Sequence, residues 1–148
     1  MVHIKIKKIL SHAILPQKMS QHAAGYDLYS ANEENIILNP REIALIPTGI
    51  AISIPHGYEA QIRPRSGLAL NYGVGILNSP GTIDADYRGE IKVILFNAGE
   101  KTFSLEPGTR IAQMVISQCD EIEFDLCTEL DETERGSGGF GHTDMNRG

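Results

Sequence analysis

The chain has 148 residues, of which 41% are hydrophobic and 22% charged, and 13 Lys and Arg stand against 19 Asp and Glu for a net charge of -6 at neutral pH. That length suits one domain that buries roughly 70% of its unfolded surface, and the composition excludes a disordered chain. The acidic balance, with Lys5, Lys7 and Lys8 as the longest basic cluster, argues against a nucleic-acid polymer as partner, and two cysteines, Cys119 and Cys127, fit a reducing, cytoplasmic setting.

Val2-His3-Ile4-Lys5-Ile6-Lys7 alternates apolar and polar residues, which predicts a strand and not a signal peptide. The same period of two recurs at Ile50, Ile52 and Ile54, at Tyr58, Ala60 and Ile62, and at Ile91, Val93 and Leu95, as expected of half-buried strands. Turn chemistry separates them at Asn39-Pro40, Pro47-Thr48-Gly49, Pro55-His56-Gly57, Asn78-Ser79-Pro80-Gly81, Asn97-Ala98-Gly99 and Pro107-Gly108. This cadence leaves space for one short helix, from Ser66 to Tyr72, with Ser66 as its expected cap. The longest uncharged run, Ser66 to Ile83, is interrupted by Asn71, Gly73, Gly75, Asn78, Pro80 and Gly81, so no membrane-spanning helix is expected. An all-β sandwich or jelly roll follows, residues 1–128 forming the domain and 129–148 a mobile, glycine-rich C-terminal arm.

Three stretches carry candidate chemistry. Ile83 to Glu90 gathers three carboxylates, an arginine and a tyrosine before a clean strand, which predicts a hairpin loop. Asp84 follows apolar Ile83 and is expected at the edge of the core, where desolvation raises the basicity of a carboxylate; a solvated acidic turn is the alternative. Pro64-Arg65-Ser66-Gly67 places a guanidinium, a hydroxyl and a glycine N–H together, as an anion site or an ordinary cap. The arm contains Gly136, Gly138 and Gly141 in G-x-G-x-x-G spacing, but no strand precedes it and no helix follows, so it is either a plain tail or a phosphate-wrapping loop. The five histidines lack metal-ligand spacing, and there is neither a nucleophile elbow nor a Walker lysine.

In order along the chain, Ala24-Gly25-Tyr26-Asp27-Leu28, Pro64-Arg65-Ser66-Gly67-Leu68, Gly81-Thr82-Ile83-Asp84-Ala85-Asp86-Tyr87-Arg88-Gly89-Glu90, Arg110-Ile111-Ala112-Gln113-Met114 and Arg135-Gly136-Ser137-Gly138-Gly139-Phe140-Gly141 resemble the five motifs of the homotrimeric dUTPase family. One departure is His142, where the family more often has serine. The resemblance implies a jelly-roll, β-clip-like subunit of a threefold homotrimer that cleaves dUTP to dUMP and pyrophosphate. Such an activity limits uracil incorporation into DNA and supplies dUMP for dTMP synthesis.

By the same resemblance Asp84 is the base that holds the attacking water. Arg65, Ser66 and the Gly67 N–H grip the phosphates with Gln113, and Arg135 closes over the γ-phosphate. Mg2+ sits on the phosphates and waters, with Asp27 in its outer shell. Asn78 and the backbone of Thr82, Ile83 and Lys92 surround uracil, Tyr87 lies under the deoxyribose, and Phe140 stacks on the base, with Ser137, Gly138 and Gly141 supplying the wrapping arm. Two alternatives of the same fold are a dCTP deaminase-like trimer and a non-catalytic dUTP-binding regulator.

Overall fold

A computed structural model describes residues 1–139. Among the described residues the chain forms eleven strands and one helix: β1 (Lys5–Lys8), β2 (Tyr26–Tyr29), β3 (Ile36–Leu38), β4 (Ile43–Pro47), β5 (Ile50–Ser53), β6 (Tyr58–Arg63), α1 (Ser66–Tyr72), β7 (Val74–Ile76), β8 (Gly81–Ile83), β9 (Lys92–Asn97), β10 (Phe103–Leu105) and β11 (Arg110–Gln118). They assemble into antiparallel sheets of order β2-β11-β6-β8 and β4-β9-β7, with two further ladders, β1-β5 and β10-β3. Their inner faces enclose a core in which Leu28, Ile46, Ile50, Ile91, Leu95 and Leu105 are fully buried.

The alternation read from the sequence matches the inward faces. Ile50, Ile52 and Ile54 are buried, as are Ala60 and Ile62, and Ile91, Val93 and Leu95 line a third face. β5 departs from a half-buried pattern because Ala51 is buried as well. The N-terminal strand starts at Lys5, later than its alternation indicates, and lies as an exposed ladder against β5 from Lys5↔Ser53 to Lys8↔Ile50.

Two local expectations are corrected. The helix spans Ser66–Tyr72, yet its cap is Arg65, in extended backbone with φ -99 and ψ 127 and with no side-chain capping bond. The first helical bond runs from the Ala69 N–H to the Arg65 carbonyl, which makes Ser66 the first helical residue and leaves its hydroxyl without the capping role. At the other end Gly73, with φ 69, closes the helix in the left-handed conformation that favours glycine. The acidic loop is not a hairpin: β8 pairs with β6 whereas β9 pairs with β4 and β7, so the loop crosses between two sheets.

After β11 the described chain forms no further strand or helix. The Cys119 N–H bonds the Gly57 carbonyl, and beyond it Ile122, Phe124 and Leu126 are exposed. No helix among the described residues is long and apolar enough to cross a membrane.

Candidate active site

The crossing between the two sheets opens a cleft of about 350 Å³. Asn78, Thr82, Ile83, Asp84, Tyr87 and Lys92 line it, over a floor that includes Ile62 and Ile76. Six residues singled out in the sequence thus share one concavity. Ile83 is half-buried, but Asp84 is exposed, which corrects the expectation that core packing within the chain desolvates it.

The loop that carries Asp84 and Tyr87 is held by its own backbone. The Tyr87 N–H donates to the Asp84 carbonyl at 3.1 Å, closing a turn. The Arg88 guanidinium donates to the carbonyls of Ala85 (2.6 Å) and Tyr87 (2.8 Å), and the Tyr87 hydroxyl donates to the Glu90 carbonyl at 3.0 Å. Glu90 in turn accepts the Gly49 N–H at 2.9 Å and faces Lys92 Nζ at 3.5 Å. Behind it, the buried Thr48 hydroxyl donates to the Ile91 carbonyl at 2.6 Å. The β4–β5 turn therefore anchors the far end of the loop. Lys92, expected as a backbone contact, has its backbone in register with Pro47 of β4.

A second cluster forms where β2, β11 and the start of α1 meet. Asp27 Oδ2 lies 3.2 Å from Arg110 Nη1 and 3.6 Å from Arg65 Nη2, and the Asp27 side chain is only 12% exposed. Arg65 also donates to the Arg110 carbonyl at 2.9 Å. Gln113, directly opposite Asp27 in the ladder, donates to the Pro64 carbonyl at 3.0 Å and packs so close to Gly25 that a Cβ there would lie 2.6 Å from its Oε1. Ser66 and Gly67 are exposed beside this cluster. Arg110 lies in the fourth motif, in which the resemblance assigns a role to Gln113 alone. A β-bulge between Arg110 and Ala112 puts it opposite Tyr29, on the Asp27 side of β2, and alternation alone does not reveal such a bulge.

Arg135, Ser137 and Gly138 form a third, local group, in which Arg135 Nε donates to the Gly138 carbonyl at 2.9 Å. Phe140 and Gly141 lie outside the described residues.

The cleft and the Asp27 cluster are well separated. Asp27 on β2 and Ile83 on β8 occupy opposite edges of the β2-β11-β6-β8 sheet, three strand spacings or roughly 14 Å apart. Asp27 is level with Gln113 and Arg63 whereas Ile83 is level with Ala60, a further offset along β6 of roughly 10 Å. The combined separation is roughly 17 Å for Asp27 and, with Gln113 one strand nearer, roughly 14 Å for Gln113, both far beyond the hydrogen-bond reach over which a base and an anion clamp act on one phosphate.

No group of three or more His, Cys, Asp or Glu among the described residues could enclose a metal ion. The Asp27 carboxylate is a hard oxygen donor already shared by two guanidiniums, which fits an outer-shell, water-mediated contact to Mg2+ better than a direct ligand.

A family model described as dUTPase matches residues 11–144. A deoxyuridine 5'-triphosphate nucleotidohydrolase of Rickettsia felis is 56% identical over 141 residues, covering 95% of each chain. One from Syntrophotalea carbinolica is 52% identical over 142 residues, covering 96% of this chain and 97% of its own. Among solved structures, a dUTPase variant from Staphylococcus bacteriophage 80alpha with dUpNHpp superposes with a TM-score of 0.86 at 28% identity, over 95% of this chain and 98% of that one. A phage phi11 dUTPase variant described with a structural Mg(II) ion gives a TM-score of 0.79 at 25% identity, over 88% and 99% of the two chains. Fold, ordered motifs and full-length relatives agree: the chain belongs to the dUTPase family.

Proposed function

We propose that the protein hydrolyses dUTP to dUMP and pyrophosphate by attack of water at the α-phosphorus, with Asp84 as the base. The observation that carries this reading is the inter-sheet cleft, where Asn78, Thr82, Ile83, Asp84 and Tyr87 converge on a space lined by both carbon and hydrogen-bonding groups. In this reading Asn78 and the backbone of Thr82, Ile83 and Lys92 bind the uracil edge, and the Tyr87 ring lies under the deoxyribose. The Asp84 carboxylate accepts a proton from the water it orients. Its exposure in a single chain is consistent with a base that becomes desolvated only when the site closes over substrate.

Arg65, Ser66, the Gly67 N–H and Gln113 bind the phosphates and stabilise the charge that develops on them. Because Gln113 lies roughly 14 Å along the sheet from the strand that leads into Asp84, and Arg65 follows the end of β6 remote from that strand's partner Ala60, they act on substrate held by a neighbouring copy, which favours sites shared between the copies of the homotrimer. Arg135 reaches the γ-phosphate and Phe140 the uracil face, with Ser137, Gly138 and Gly141 wrapping the arm around the nucleotide. When bound, Mg2+ supplies charge neutralisation on the triphosphate, with Asp27 holding its outer-shell water. The reaction would limit uracil incorporation into DNA and supply dUMP for dTMP synthesis, in a cytoplasmic setting.

The test is product analysis with purified protein, dUTP and Mg2+. Pyrophosphate and dUMP in equal amounts are expected. Ammonia release from dCTP would instead assign a dCTP deaminase-like activity, and dUTP binding without turnover would assign a regulator.

A further inference from the structure

We propose that Gly89 and Glu90 are positioning residues for Tyr87, Gly89 as the seat of its ring and Glu90 as the strut beneath that seat, and that together they set how strongly the site rejects a 2′-hydroxyl. The inference rests on the reading of the cleft as a dUTP site. A Cβ built on Gly89 would lie 2.3 Å from the Tyr87 hydroxyl oxygen, 2.5 Å from Cζ and 3.0 Å from Cε2. The ring tip thus lies over Gly89, and any side chain there displaces it. Gly89 is not among the glycines held at positive φ, so backbone conformation does not explain a glycine there. What requires it is the ring itself.

The seat is fixed from both sides. The Tyr87 hydroxyl donates to the Glu90 carbonyl at 3.0 Å, so the tip of the ring is tied to the residue just past the seat. The Glu90 carboxylate, 18% exposed, accepts the Gly49 N–H at 2.9 Å across 41 residues of sequence and lies 3.5 Å from Lys92 Nζ. The β4–β5 turn thereby holds Glu90, Glu90 holds the Tyr87 hydroxyl, and Tyr87, 44% exposed, lines the cleft. A ring so fixed is a rigid wall. A ring pushed up by an alanine methyl is neither at the same height nor tied at its tip, and a wall that can move admits an extra hydroxyl.

The experiment measures kcat/KM for dUTP and for UTP in wild type, Gly89→Ala, Tyr87→Ala and the double variant. Gly89→Ala should lower the dUTP-over-UTP preference about tenfold or more, the range expected when one shape contact is lost. Adding it to Tyr87→Ala should change the preference less than about twofold, since the ring it displaces is gone. Glu90→Gln keeps an acceptor for the Gly49 N–H and should retain the preference within about twofold, whereas Glu90→Ala should relax it. An unchanged preference in Gly89→Ala, or an equal loss of both activities whether or not Tyr87 is present, overturns the seat. A wild-type preference in Glu90→Ala overturns the strut. Ring resonances of isotope-labelled tyrosine, with Tyr87 assigned from Tyr87→Ala, read the same geometry without turnover: they should shift in Gly89→Ala, and unmoved resonances refute the proposal. A wild type without dUTP hydrolysis would contradict the functional reading alone.

Discussion

Asp27 stands between two guanidiniums, and its replacement by asparagine removes the negative charge while keeping the shape and one acceptor oxygen. At separations of 3.2 and 3.6 Å, each contact has a gross attraction of about 5 kcal/mol at an effective dielectric of about 20. The Arg65 and Arg110 side chains are 26% and 41% exposed and remain hydrated, so the net loss falls between that of a surface pair and a buried one, about 1–2 kcal/mol. For a chain of this length that lowers the thermal midpoint about 3–6 °C at 0.1 M salt. Raising salt to 1 M shortens the screening length from about 10 to about 3 Å, which weakens the native ion pairs and the guanidinium repulsion in the variant alike. The gap between Asp27→Asn and wild type should therefore narrow. Pyrophosphate at low salt should raise the midpoint of the variant more than that of wild type, because its guanidiniums lack their internal counter-ion. Thermal unfolding followed by circular dichroism measures all of these. Equal midpoints at 0.1 M salt, or a gap that widens with salt, would refute the assignment of Asp27 as the counter-charge of this cluster.

Thr48→Val removes the buried hydroxyl bonded to the Ile91 carbonyl but leaves that carbonyl the Thr48 N–H at 3.3 Å, so a cost of about 1 kcal/mol and a drop of about 2–4 °C in thermal midpoint are expected; a drop several times larger would mean that the anchor carries more than one hydrogen bond. Desolvation where β11 ends, reinforced by the carboxylates of Glu59, Asp120 and Asp84, pushes the Cys119 thiol above its ordinary range. Less of it is thiolate at pH 8, so Glu59→Gln should speed the alkylation of Cys119 followed by peptide mass spectrometry; an unchanged rate would contradict the contribution of these carboxylates. Deleting residues from Arg135 onward should leave the thermal midpoint within about 1 °C, since the described part of that segment bonds only locally, while dUTP turnover falls by orders of magnitude. Full turnover in the truncated protein would remove the arm from the mechanism.

What the sequence disclosed followed from short-range physics. Alternation marked the buried faces at Ile50 and Ile52, at Ala60 and Ile62, and from Ile91 to Leu95, because one face of a strand must be apolar to join the core. Turn residues left one stretch free for α1, and its bounds agree with the structure. The errors arose where long-range pairing decides. Asp84 to Glu90 looks like a hairpin loop because two strands flank it, but partners distant in sequence draw β8 and β9 into different sheets. Ser66 has a capping side chain, yet the chain enters the helix one residue earlier. The contacts of Arg110 with Asp27 and of Glu90 with Gly49 span 83 and 41 residues, and no local pattern encodes them. The residues proposed to bind substrate were legible as ordered motifs, whereas their division across the β2-β11-β6-β8 sheet required the strand order.

That division leads to the decisive measurement: dUTP hydrolysis by mixed assemblies of Asp84→Asn and Arg65→Ala chains, refolded together in equal amounts after each is found inactive alone. If each site takes Asp84 from one chain and Arg65 from another, random mixing leaves about a quarter of the sites with both intact residues, and activity should return to about a quarter of the wild-type value. If each site lies within one chain, every chain carries a defect and no activity returns. Mixed assemblies verified by mass that remain inactive would contradict the shared site.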